Sequence, residues 1–274
     1  MNMKLWEQGI VATYSLPGYK ELILAHYAQF QRPGTTIEVH GVRDDPSPKA
    51  VQIAGRAVNY AYLHRFHETQ IIENVRRAER EGFDAVMIGA LQDPGLQVAK
   101  SVVDIPVIGY GEASMLTALM HGSRFAFICI NPDMNPVIQA MIRDQGLESR
   151  AAPNIFMDCG YADLSDAVNG KPERFMAAFE QAAHRAILEH GVDVILPGQT
   201  IIAELLWRQG VREMQGALVL DPRLSMLRMV EMLVDMRQAG FGVSRRGFLW
   251  NKPPAEMEQG VRDFYATPEV FPAP

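Results

Sequence analysis

The side chains able to move protons or grip a polar ligand gather at a few points of the chain. Glu112, in Gly109-Tyr110-Gly111-Glu112-Ala113, is a carboxylate in a glycine-flanked turn. It is a candidate general acid or base, and equally a cap for a helix starting at Ala113, whose free N–H groups favour an acidic neighbour. His64, His67 and Glu68 fall at helical spacing, where residues i and i+3 share a face; His67 is a second candidate acid or base. No third ligand accompanies the two imidazoles and the spacing is not His-Glu-x-x-His, so no metal is expected. Cys129 ends an apolar run and is a candidate thiol for one-sided proton transfer, against the alternative of a small inert hydrophobe. Gly198, Gln199 and Thr200 offer close backbone approach, an amide and a hydroxyl, suited to a developing oxyanion. Tyr14 and Ser15, beside Thr13, supply hydroxyl donors of the same kind.

These residues need elements to hold them. Two stretches read alike: Glu81-Gly82-Phe83-Asp84-Ala85-Val86-Met87-Ile88-Gly89-Ala90, and His190-Gly191-Val192-Asp193-Val194-Ile195-Leu196-Pro197-Gly198-Gln199. Each follows an amphipathic helical pattern, breaks at glycine, and enters a short apolar run, which is a helix feeding a buried strand. In open α/β sheets ligands sit at the carboxyl ends of such strands, so Gly89 and Ala90 on one side and Gly198 and Gln199 on the other should line a binding site. Further strands are expected at Gly9–Ala12, Thr36–His40, Pro106–Gly109, Phe125–Ile130, 155–157 and 217–220. Helices are expected at 19–30, 59–80 with a break near Glu68, 96–102, 113–120, 136–145, 173–189, 203–209 and 222–238. The alternation implies parallel sheets covered on both faces. The fold class is α/β: two pseudo-symmetric lobes with parallel-sheet cores and a ligand cleft between them. Residues 1–115 plus 215–238 form the first lobe, 116–214 the second, and 239–274 a C-terminal arm that packs on the body or on a neighbouring subunit.

Bulk properties exclude several classes. A net charge of −6 with interspersed signs leaves no basic stripe for a phosphate backbone, so no nucleic-acid partner is expected. No apolar run approaches the roughly 18 residues a membrane span requires, and Met1–Trp6 lacks a signal-peptide pattern; a cytoplasmic protein without a membrane partner is the expectation. With 2 cysteines, Cys129 and Cys159, a disulfide framework is not expected.

Asp84 to Leu96, with its Gly89-Ala90-Leu91-Gln92-Asp93-Pro94-Gly95, followed by Ile105-Pro106-Val107-Ile108-Gly109-Tyr110-Gly111-Glu112-Ala113, resembles the aspartate/glutamate/hydantoin racemase superfamily, and its hydantoin racemase branch most. A weaker match covers Asp193 to Gly198 and Leu220-Asp221-Pro222. The resemblance implies two similar α/β lobes, a small-molecule substrate held between them, no cofactor, and a pair of cysteines at matching strand ends that exchange an α-proton. Ala90 and Gln199 stand at those two positions, and Thr13-Tyr14-Ser15 replaces an Asn-Pro-Asn common in the family. Neither alanine nor glutamine can take or give the proton. The expectation is therefore one-base chemistry, a lyase or hydrolase acting on a small carboxylate, amide or hydantoin-like ring, in a homo-oligomer. The alternatives are a racemase or epimerase with non-thiol bases, such as Glu112 facing His67, and a binding protein that has kept the cleft without the chemistry.

Overall fold

The computed structural model describes residues 2–10, 18–42 and 60–265. The first sheet is four parallel strands: β1 (Met3–Gln8), β2 (Thr35–His40), β3 (Ala85–Ile88) and β4 (Val107–Gly109), in the order β2-β1-β3-β4. Register pairs Gln8 with both His40 and Ile88, and Ile88 with Gly109, so all four strands end level. Helices α1 (Tyr19–Phe30), α2 (Ala61–Arg80) and α3 (Leu96–Val102) connect them. The expected break in α2 at Glu68 is not there: the helix is continuous, with His64 accepted by Glu68 one turn on (3.2 Å).

Helix α4 (Tyr110–His121) crosses to the second sheet, made of β5 (Phe125–Cys129), β6 (Ile155–Phe156), β7 (Val194–Pro197), β8 (Glu213–Met214) and β9 (Ala217–Val219), in the order β6-β5-β7-β9-β8. All pairs are parallel except the β8–β9 hairpin. Its helices are α5 (Asn135–Asp144), α6 (Tyr161–Val168), α7 (Glu173–His190) and α8 (Thr200–Arg208). Then α9 (Pro222–Gln238), capped by the Asp221 carboxylate on Leu224 N–H (3.0 Å), returns to pack on α4, β3 and β4. A continuous apolar core runs from Leu5 and Met87 of the first sheet, through α4 and α9, to Phe127 and Leu196 of the second.

Several elements differ from the sequence expectation. The first strand among the described residues is Met3–Gln8; of the expected Gly9–Ala12, Gly9 and Ile10 are not in a strand, and Val11 and Ala12 lie outside the described residues. Lys4, Glu7 and Gln8 break the apolar pattern of Met3–Gln8, and Glu7 and Gln8 are nonetheless buried. Residues 215–219, expected with the first lobe, belong to the second sheet through β9, paired with β7. The stretch 158–172, where the sequence marks no element, contains α6. The arm is not wholly irregular either, since α10 (Ala255–Tyr265) forms there without a buried residue. It is held by ion pairs to α2, Glu258 with Arg76 and Arg262 with Glu73. Arg245 reaches the end of α3, donating to the carbonyls of Lys100 (3.0 Å) and Val103 and to Asp104 (2.7 Å). No helix among the described residues is long and apolar enough to cross a membrane.

Candidate active site

Where the strands of the first sheet end, a cavity of about 70 Å³ opens toward the start of α8. Gly9 and Ile10 border it from the end of β1, Gly89 from the end of β3, Thr200 from the first residue of α8, Tyr19 and Ile23 from α1, and Arg223 from α9. Strand ends and a helix start converging in this way form the usual ligand position of an open α/β sheet.

Glu7 and Arg223 are the charged groups sealed at its wall, 2% and 1% exposed. Arg223 Nη1 donates to Glu7 Oε1 and to the Tyr27 hydroxyl (3.2 Å), and its Nε donates to Glu204 Oε1. His26 stands behind, with Nδ1 2.8 Å from Glu204 Oε2 and Nε2 2.8 Å from Asp221 Oδ2. Burial pulls the His26 pKa down, but the hydrogen bonds to Asp221 and Glu204 outweigh it and hold the imidazole above its ordinary value. Ionised, the cluster is three carboxylates against a guanidinium and an imidazolium. Glu7 Oε2 and Arg223 Nη2 are buried without a hydrogen-bond partner among the described residues. An orphaned donor and an orphaned acceptor at a cavity wall are costly unless a ligand or water meets them. The Tyr19 hydroxyl, lining the same cavity, donates to Thr200 Oγ1 (2.6 Å), and burial raises its pKa, so it stays protonated.

Two of the expected cavity positions hold glycine for a steric reason. A Cβ added at Gly89 would stand 2.6 Å from Glu7 Oε1, so the carboxylate fits there only because the side chain is missing. A Cβ at Gly198 would overlap Cys129 Sγ.

Of the residues singled out from sequence, Gly89 and Thr200 line the cavity. Ala90 is buried beside Gly89. Gln199 precedes α8 and turns its amide oxygen onto Ile130 N–H (3.0 Å), which spends the amide on tying β7 to β5. Cys129 is fully buried under Gly198, and that burial pushes its thiol up to about 12, with a hydrogen bond to Gln199 opposing. Tyr14 and Ser15 lie outside the described residues, as does Thr13. His67 is half-buried and faces the backbone of Ile10; burial, then His64, lowers its pKa. Among the described residues no group of three or more His, Cys, Asp or Glu is placed to hold a metal ion.

Glu112 sits apart, in the first turn of α4, which begins at Tyr110 rather than at Ala113. Its two carboxylate oxygens are 2.6 and 2.7 Å from Lys100 Nζ. The capping task falls instead to Asp93, whose oxygens accept Gly111 N–H (2.8 Å) and Glu112 N–H (2.7 Å). Although part of its surface is open, Asp93 is closely surrounded by protein, and this desolvation pushes its carboxyl up to about 8 against the pull of the two amides.

Glu7, Arg223, Glu204, His26 and Tyr19 were not read as site residues from the sequence. They are scattered over more than two hundred positions, and each sits in an otherwise ordinary strand or helix. The one available signal was the match at Leu220-Asp221-Pro222, which stops one residue short of Arg223. A larger, open groove of about 890 Å³ between α7, β6 and the β8–β9 turn carries none of the expected residues.

Residues 21–230 match the family model described as Asp/Glu/Hydantoin racemase. A hydantoin racemase of Pseudomonas sp. (strain NS671) is 28% identical over 166 residues, 61% of this chain and 64% of that protein. One from Paenarthrobacter aurescens is 29% identical over 179 residues, 64% of this chain and 70% of that protein. The chain thus matches less than two thirds of the length of the Pseudomonas relative. Among solved structures, the allantoin racemase from Klebsiella pneumoniae superposes with a TM-score of 0.73 at 21% identity, covering 93% of this chain and 96% of that one. The allantoin racemase from Pseudomonas fluorescens gives 0.72 at 20%, covering 92% and 97%. At that identity the two structures establish the α/β fold with its paired parallel-sheet cores.

Proposed function

We propose that this chain, which belongs to the Asp/Glu/hydantoin racemase family, is an isomerase: a racemase or epimerase of a small carbonyl-bearing molecule that works without cysteine bases. The sequence had pointed first to a lyase or hydrolase. The relatives at 28% and 29% identity are both named as racemases, which favours the isomerase alternative.

One observation carries the reading. Glu7 places a buried carboxylate against Gly89, next to the Ala90 position where the resemblance puts a thiol, and one of its oxygens has no partner among the described residues. In this reading Glu7 Oε2 takes the proton from the carbon next to the substrate carbonyl and later returns it. The electron pair left on carbon moves onto the carbonyl oxygen, where Arg223 Nη2 and the hydroxyls of Tyr19 and Thr200 are donors. Inversion follows when the planar intermediate turns its other face toward Glu7 before the proton is returned, and no bond other than C–H is broken. Cys129, held as a neutral thiol, packs behind Gly198. Glu112 and His67 lie outside the proton path, the first paired with Lys100 and the second at the rim by Ile10.

The test is solvent exchange. Optically pure hydantoins, N-carbamoyl and free amino acids, and small cyclic amides are incubated with the protein in D₂O. A substrate that gains one deuterium at the stereocentre while its optical rotation decays, with no change in composition, supports the reading. Turnover to a decarboxylated, cleaved or hydrolysed product without such exchange overturns it.

A further inference from the structure

Arg223 is not held by Glu7 alone. We propose that Asp221, His26 and Glu204 form a positioning chain that fixes the plane of the Arg223 guanidinium and aims its Nη2 edge into the cavity. The proposal rests on the reading of Arg223 as a donor to substrate, and concerns how that donor is oriented.

The geometry is a sequence of groups with each contact saturated. Asp221 Oδ1 is occupied by Leu224 N–H (3.0 Å), at the start of α9, which leaves Oδ2 for His26 Nε2 (2.8 Å). His26 Nδ1 then meets Glu204 Oε2 (2.8 Å), and Glu204 Oε1 takes Arg223 Nε–H. An ionised carboxylate only accepts, so an imidazole bonded to two of them carries a proton on each nitrogen. The ring plane is fixed as well: His26 stacks on Trp207, with centroids 4.4 Å apart and 14° between planes, and Trp207 is itself anchored by Gln29 (2.8 Å). Glu204 is 0% exposed and His26 1% exposed, so the link between these two is sealed from water.

The chain spans three elements, α1, α8 and the start of α9. A guanidinium is a planar fork, and fixing Nε and Nη1 fixes Nη2. Glu204 takes Nε, Glu7 and Tyr27 take Nη1, and Nη2 is the edge that has no partner among the described residues. Nothing in that arrangement stabilises Nη2 itself. The chain spends its contacts on direction.

The Nε–H resonance of Arg223 reads this directly and needs no substrate, so it stands or falls separately from the racemase reading. In ¹⁵N-labelled protein it is assigned by its absence from the spectrum of Arg223→Lys. Solvent exchange of this N–H is expected to be slow in the wild type and at least about tenfold faster in His26→Met, which leaves Glu204 Oε2 without its donor. Asp221→Asn retains the α9 cap and a polar partner for Nε2, so His26 can keep Nδ1–H toward Glu204, and exchange should stay within about twofold of wild type. If His26→Met does not fold, Asp221→Ala replaces it, with acceleration expected in the alanine and not in the asparagine variant. An Arg223 Nε–H that exchanges at the wild-type rate in folded His26→Met, or in folded Asp221→Ala where that variant is used, overturns the proposal.

Discussion

Two clusters of buried charge lie near the carboxyl ends of the first sheet, and they differ in what they leave unpaired. At the start of α4, Asp93 spends both oxygens on backbone amides and Glu112 both on Lys100. At the cavity, five ionisable groups from four elements and the turn before α9 pair with one another, yet Glu7 Oε2 and Arg223 Nη2 have no partner among the described residues. The first arrangement closes on itself and accounts for its own polar groups. The second leaves a donor and an acceptor without partners among the described residues, and an incomplete polar network at a strand end is where chemistry has a physical reason to occur. The conspicuous motif thus secures a helix, while the unpaired groups to which the proposed reaction is assigned come from residues no motif announced.

The contrast can be broken at several points, and the largest effect is expected from Arg223→Met. It strands Glu7 as a buried charge without a cation and leaves Glu204 with His26 alone, and breaking a buried pair in this way costs about 3–5 kcal/mol. Urea denaturation measures it. A loss under about 1 kcal/mol would show that the cluster is hydrated and not sealed as described.

Lys100→Met strands Glu112 in turn, but its side chain is already 10% exposed, and the expected loss is about 1–3 kcal/mol. Proton exchange on any accepted substrate should survive it within about threefold, because neither residue lines the cavity. A collapse of exchange with unchanged stability would move Glu112 into the catalytic machinery.

The two clusters also share a pH signature. Asp93 and His26 both have folded pKa values above their ordinary values of 3.8 and 6.5. For a raised value the folded state binds the extra proton, so the contribution is fully present below the ordinary pKa and is lost as pH rises through the folded one. Asp93 therefore gives a decline in stability from about pH 4 to its folded value of about 8, and His26 one that begins near 6.5. Thermal melts from pH 5 to 9 should fall with pH, and Asp93→Asn should flatten the lower part of the slope. A melting temperature that rises across this range would contradict both assignments.

The smallest effect is expected at Cys129. Its thiol, pushed up to about 12 and fully buried, should resist iodoacetamide in the folded protein at pH 8 while Cys159, partly exposed, reacts first. Fast alkylation of Cys129 would return a reactive sulfur to the cleft.

Much of the fold was legible because period and punctuation carry it. Helices α3 and α9 begin and end where Gly95, Pro222 and the apolar spacing place them, and the two helix-glycine-strand repeats mark β3 and β7. β1 was misplaced because Gly9-Ile10-Val11-Ala12 is more apolar than Met3–Gln8. Glu7 is tolerated in a buried strand only through Arg223, 216 residues away, and no local window reports that. Helix α10 was missed because its neighbours are rich in proline and aromatic residues, and its stability comes from ion pairs to α2. For the site, strand-end reasoning located the cavity at Gly89 and Thr200. It did not point to Glu7 or Arg223, because position along a strand end does not reveal which distant charges converge there.

The contrast between the two acidic sites is tested most directly by one paired measurement: the rate of solvent deuterium incorporation at the substrate stereocentre in Glu7→Gln and in Glu112→Gln, each compared with wild type. Each variant keeps the size of the side chain and removes its ability to take a proton. The account predicts a fall of about 10²-fold or more for Glu7→Gln, the usual scale for losing a general base, and a change within about threefold for Glu112→Gln. Undiminished exchange in a folded Glu7→Gln protein, with the loss appearing in Glu112→Gln instead, would contradict it.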